Sequence, residues 1–120
     1  MLALTTNDEN NMNLRTLLLS TLLASNIAIA DETPLTLDVY NADSNSFHVN
    51  ATLVYGRTDA ILIDTGFTKA DALRIAAKVI DSGKQLKTIF ISQADPDYYF
   101  GAEVLQQFFP DAEIITTPAV

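Results

Sequence analysis

Two carboxylates one residue apart, Asp95 and Asp97, lie in the stretch Ile89 to Gly101 (IFISQADPDYYFG). The apolar β-run Thr88 to Ile91 stops at Ser92, Pro96 marks a turn, and a helix is predicted to open near Tyr99. Acidic side chains placed where a strand gives way to a helix can hold a divalent metal or divide acid and base work between them. The neighbouring donors are Gln93, a weak amide ligand, and Tyr98, whose phenol ordinarily stays protonated. With no Cys in the chain and one His, any metal here must be held mainly by carboxylate oxygens. The plainer reading of Asp95-Pro96-Asp97 is a solvated loop that lends negative charge to the start of the next helix.

The elements that must position this turn are legible in order. Pro34 to Tyr40 alternates apolar and polar residues, a half-buried strand. After the polar cluster Asn41 to Ser46, a second strand is expected over Phe47 to Tyr55, ending at Gly56. Ala60-Ile-Leu-Ile63 is a continuous apolar run of the kind buried on both faces, and the first three strands form a meander. Asp64-Thr-Gly66 ends that strand. Thr68 is the predicted N-cap of a helix, with Asp71 at capping-box spacing and Ala72, Leu73, Ala76, Val79 and Ile80 at helical intervals up to Gly83. Lys87 to Ile91 is the strand leading into the acidic turn. Tyr99 to Phe109 is a second helix, with Phe108 and Phe109 as core residues, and Glu113 to Thr117 a last strand. The order is β-β-β-α-β-α-β, an α/β domain. The last apolar strand has nothing after it to cover it, so the domain reads as incomplete.

The chain has 120 residues, a formal charge of −8 and 48% hydrophobic residues. One domain is expected. The acidic balance argues against nucleic acid as a partner, because phosphate neutralisation needs clustered Lys and Arg. No stretch of about 18 apolar residues is present to span a membrane. Residues 12–30 combine Arg15, a short apolar run from Thr16 to Ala24, and Ala28-x-Ala30. That pattern is an export signal cleaved after Ala30, with Met12 as the alternative start and residues 1–11 as an extension. The product would be a periplasmic or secreted domain of about 90 residues, small for an α/β core.

Ile61-Leu-Ile-Asp-Thr-Gly66, a helix, a strand, an acidic turn and then Gly101 resemble the N-terminal half of the metallo-β-lactamase fold, an αββα sandwich of metallohydrolases. In that family a strand ends in Asp-Thr-Gly, and the next strand of the site ends in Thr-His-x-His-x-Asp-His followed by Gly. On this pattern Ser92 matches the Thr, Gln93 and Asp95 stand where the first two His belong, and Asp97 matches the Asp. Tyr98 stands at the last His, and Gly101 matches the Gly. The resemblance covers residues 35–120. It implies zinc or another divalent metal, whose bound water attacks a hydrolysable carbonyl of a small-molecule substrate. It makes Asp97 the first candidate ligand and catalytic group, Asp95 the second and Gln93 the third. Asp64, Gly66, Tyr98 and Gly101 form the supporting loops, with Asp64 buttressing the metal turn.

With three of four motif positions changed, the donor set favours harder ions such as Mn or Mg over zinc. The family's remaining ligands lie in its second half, which this chain does not match. His48 falls where the family has no ligand and is read as structural. The rival to an altered hydrolase is a non-catalytic exported domain or gene fragment. Asp95-x-Asp97 after a strand is also similar to the haloacid-dehalogenase-like phosphatases, but Pro96 separates the acids and no Lys follows Lys87.

Overall fold

Apolar alternation places five strands in one sheet, and the register explains which side of each strand is buried. The computed structural model describes residues 32–120; the expected extension and export signal, with the alternative start at Met12 and the expected cleavage after Ala30, fall outside the described residues. The strands are β1 (Thr36–Asn41), β2 (Asn50–Tyr55), β3 (Asp59–Ile63), β4 (Gln85–Ile91) and β5 (Glu113–Thr116), in the spatial order β1-β2-β3-β4-β5. β1, β2 and β3 pair antiparallel, the predicted meander. β3–β4 and β4–β5 are parallel, each joined by a helical crossover.

Helix α1 (Lys69–Ser82) connects β3 to β4. Its capping box is complete: the Thr68 hydroxyl accepts from the Asp71 amide and the Asp71 carboxylate accepts from the Thr68 amide. Gly83, at φ 66°, closes it in the left-handed conformation. The buried stripe is Ala72, Ile75, Ala76 and Val79. Leu73 and Ile80, expected on that stripe, are rotated outward, because a 3.6-residue repeat through Ala72, Ile75, Ala76 and Val79 leaves them on its flanks.

The predicted second helix is split. Pro96 starts a single turn, α2 (Pro96–Tyr99), and a separate α3 (Ala102–Phe108) follows Gly101. Proline pre-sets the first helical φ, so the helical turn begins three residues earlier than Tyr99. Phe108 is about half exposed rather than core, while Phe109 packs against the core edge. The second strand likewise starts later than expected, at Asn50. Phe47 and His48 both have φ 56° and form a left-handed turn instead of extended chain.

On the helix side, the register aligns Leu53, Leu62 and Ile89 across β2, β3 and β4, each at most 2% exposed. With Ile75, Val79 and Leu105 they form the core. Each such side chain contributes about 1.5–3 kcal/mol by leaving water. On the opposite side the register aligns Leu37, Val54 and Ile61, and beside them Ile63, Phe90 and Ile115. Leu37, Val39, Ile61 and Ile115 are exposed there. Among the described residues no element packs over this second apolar face, and no helix is long and apolar enough to cross a membrane.

Candidate functional site

Because β1 and β3 run in one direction with β4, the loops after all three strands emerge at the same end of the sheet. Two of them are fastened together. Asp64, at φ 63°, turns the chain sharply after β3 while its amide extends the ladder by donating to the Phe90 carbonyl at 2.9 Å. Its buried carboxylate accepts from the Ser92 amide at 2.8 Å and from the Ser92 hydroxyl at 2.7 Å. The buried Thr65 donates both its amide, at 2.8 Å, and its hydroxyl, at 3.0 Å, to the Tyr98 carbonyl. The Gly101 amide donates to the Gly66 carbonyl at 3.2 Å.

Gly101 is demanded by this fastening, and Gly66 by its backbone conformation and the close approach of α1. A Cβ on Gly101 would lie 2.0 Å from the Thr65 carbonyl oxygen. Gly66 has φ 78°, and a Cβ there would lie 2.8 Å from the Asp71 Cβ. Asp64, Gly66, Tyr98 and Gly101 are therefore brought together, and they hold the acidic turn in place through the Asp64 carboxylate and the Gly66, Tyr98 and Gly101 backbone.

The turn itself projects outward. Asp95 is the N-cap of α2 and makes no capping bond with its side chain, Pro96 is the first helical residue, and Asp97 stands in the first turn. Gln93 and Asp95 are exposed and Asp97 is partly so. His48 is exposed on the β1–β2 connection.

Sequence reasoning missed a buried centre beside these loops. Asp71, 2% exposed, was read only as a capping residue. Its Oδ1 accepts from the Tyr40 hydroxyl at 2.6 Å. Its Oδ2 accepts from the Ser46 hydroxyl at 2.5 Å and from the Thr68 amide and hydroxyl at 3.0 and 2.8 Å. Burial alone would raise its pKa, but the hydrogen bonds from Ser46, Tyr40 and Thr68 outweigh it and hold the carboxyl well below the ordinary range. Burial, and then the bond to Asp71, push the Tyr40 phenol up. One ionised group thus ties β1, the 3-10 turn Ser44–Ser46 and the start of α1 together.

The sequence profile of the metallo-beta-lactamase superfamily matches residues 45–118, which include both fastened loops and the acidic turn. The chain belongs to this superfamily. Solved metallo-beta-lactamases share its fold. One is DIM-1, from a crystal exposed to ceftazidime, with TM-score 0.55 and 18% identity over 74% of this chain and 46% of that one. Another is TMB-1, with TM-score 0.50 and 12% identity over 71% of this chain and 39% of that one. The chain thus spans less than half the length of either enzyme. No curated protein sequence matches it.

The metallo-beta-lactamase fold implies a divalent metal, so the donors at the turn bear directly on function. Among the described residues no group of three or more His, Asp or Glu side chains converges on a point where an ion could sit. Gln93, Asp95, Asp97 and Tyr98 include no imidazole. This donor set does not fit a zinc site built on imidazoles.

Proposed function

We propose that this chain is the N-terminal part of an exported hydrolase of the metallo-beta-lactamase superfamily, with an altered metal turn. The observation that carries the reading is the fastening of Asp64-Thr-Gly66 to the Ser92–Gly101 loop, which presents Asp97 and Asp95 at the end of the sheet. Asp97 is the first ligand this chain offers, Asp95 the second and Gln93 a weak third. Two carboxylates and an amide suit a hard ion, loosely held, until further donors arrive from elsewhere. The bare apolar face through Leu37, Ile61 and Ile115 is where the rest of the fold would pack, in keeping with the more than half of the DIM-1 chain that has no counterpart here. Export rests on the pattern at residues 12–30. The substrate would be a small molecule with a hydrolysable bond.

A paramagnetic titration tests this. Manganese added to the full chain should broaden the NMR amide signals of residues 93–95, 97 and 98 first, and Asp97→Ala should abolish that preference. Broadening spread evenly over exposed carboxylates such as Asp81, Asp111 and Glu113, or unchanged in Asp97→Ala, would contradict the metal assignment.

The second reading, a non-catalytic domain, is favoured by the absence of three converging donors among the described residues. It predicts no preference for the turn at all.

A further inference from the structure

Four aromatic rings from three separate connections meet at the loop end of the sheet; Phe47, Phe100 and Tyr99 are exposed and Phe67 is half-buried between them. Phe47 lies 5.4 Å from Phe67, Phe67 stacks on Phe100 at 5.7 Å and 17°, and Tyr99 meets Phe100 edge-on at 5.2 Å. Phe47 is 67% exposed, Phe100 53% and Tyr99 38%. Tyr99 ends α2 and Phe100 follows it, and both join a ledge on the surface.

The ledge is pre-organised. Phe47 is held at φ 56°, a conformation that non-glycine residues rarely adopt. The turn is kept by Phe47 and Val49 amide bonds to Ser44 and Ser46 carbonyls, and by the Ser46 hydroxyl on Asp71. Thr68, next to Phe67, donates its amide and its hydroxyl to the same Asp71 carboxylate. One buried carboxylate therefore braces both ends of the Phe47–Phe67 contact.

The charge around the ledge has one sign. Connections 42–49, 64–68 and 92–101 contain Asp43, Asp64, Asp95 and Asp97 and no Lys or Arg; Lys69, at the start of α1, is the cation nearest in sequence, and His48 is the one imidazole. Ring faces attract ammonium groups, and negative loops raise the local concentration of cations. A protein partner needs about 800 Å² of surface on its own side, which a few rings do not supply.

We propose that the Phe47–Phe67–Phe100–Tyr99 ledge is a subsite for a small organic cation with an aromatic body, of the arylalkylammonium kind. The site needs no metal, so its test is separate from that of the hydrolase reading. The full chain is titrated with 2-phenylethylammonium, 2-phenylethanol and 3-phenylpropionate while its amide NMR spectrum is followed. Saturable shifts are expected at Phe47, Phe67, Tyr99 and Phe100, with the cation bound about fivefold tighter than the alcohol and the anion weakest. Phe47→Ala and Phe100→Ala should each weaken the cation about fivefold and leave distant amides in place. The ranking is read on the unaltered chain, so it stands even if a variant folds poorly. Absence of saturation, shifts centred on Leu37, Ile61 and Ile115, or an anion bound as well as the cation would each overturn the proposal.

Discussion

Asp71→Ala is expected to destabilise the domain by about 3–4 kcal/mol, measured as the free energy of urea unfolding. The substitution removes the acceptor of four donors: the Tyr40 and Ser46 hydroxyls, and the amide and hydroxyl of Thr68. Each bond to a charged acceptor contributes about 1.5–3 kcal/mol, but the bonds share one group and do not add. Half of the capping box goes in the same step: the Thr68 amide loses its acceptor, while the Thr68 hydroxyl still accepts from the amide of residue 71. Arg74, 3.8 Å away and largely exposed, adds little to the balance. A loss under about 1 kcal/mol would show that the hub is incidental.

The same group makes stability depend on pH, and the sign follows from its lowered pKa. In the unfolded chain Asp71 takes up its proton near the ordinary 3.8, whereas the folded protein keeps it ionised to lower pH. The unfolded state therefore binds more protons as the solution is acidified. The contribution of Asp71 is complete above the ordinary value and is lost as pH falls from there toward the folded value. Asp71→Asn, which cannot titrate, should flatten that acid limb while lowering stability at neutral pH. An unchanged acid limb would assign acid unfolding to other carboxylates.

Gly101→Ala should cost about 3 kcal/mol or more and disturb the acidic turn along with the fold. The reason is close approach, not backbone conformation: Gly101 has φ −76°, which any residue adopts. Its new Cβ would lie 2.0 Å from the Thr65 carbonyl oxygen and 3.1 Å from the Ala72 Cβ, and backbone cannot swing aside as a flexible side chain would. Gly83→Ala is the matched control. There φ is 66° and nothing lies within 4 Å of the new Cβ, so only the left-handed strain of about 1–2 kcal/mol is incurred. Thermal unfolding of the two variants should separate them clearly. Equal losses would mean that the two loops are not fastened as described.

What could be read from the sequence was whatever its neighbours along the chain determine. The Thr68–Asp71 cap and the Gly83 stop depend on residues three apart or on one conformational preference, and both stand as read. The five strands followed from apolar runs bounded by turns. The missed features are long-range. Tyr40 and Ser46 reach Asp71 from 31 and 25 residues away, and no local spacing rule links them. The aromatic ledge needs three connections to emerge at one end of the sheet, which is a property of strand direction. Pro96, by contrast, was a local cue to an earlier helix start that the reading placed at Tyr99 instead. At the candidate site the loop residues Asp64, Gly66 and Gly101 were legible as a set, and the structure supplies the contacts that make them one.

The proposed function requires that this turn keep the backbone of a metal site while its side chains have changed. Restoring imidazoles tests it: Gln93→His, Asp95→His and Tyr98→His are combined in one chain, and zinc affinity is measured by calorimetry beside the unaltered protein. With the fastened loops intact, the triple variant should bind close to one equivalent of zinc at least about tenfold tighter than the parent, and Asp97→Ala should weaken it again. No gain in affinity would mean that the turn does not aim these positions at a common point, and the metal account of this chain would be wrong.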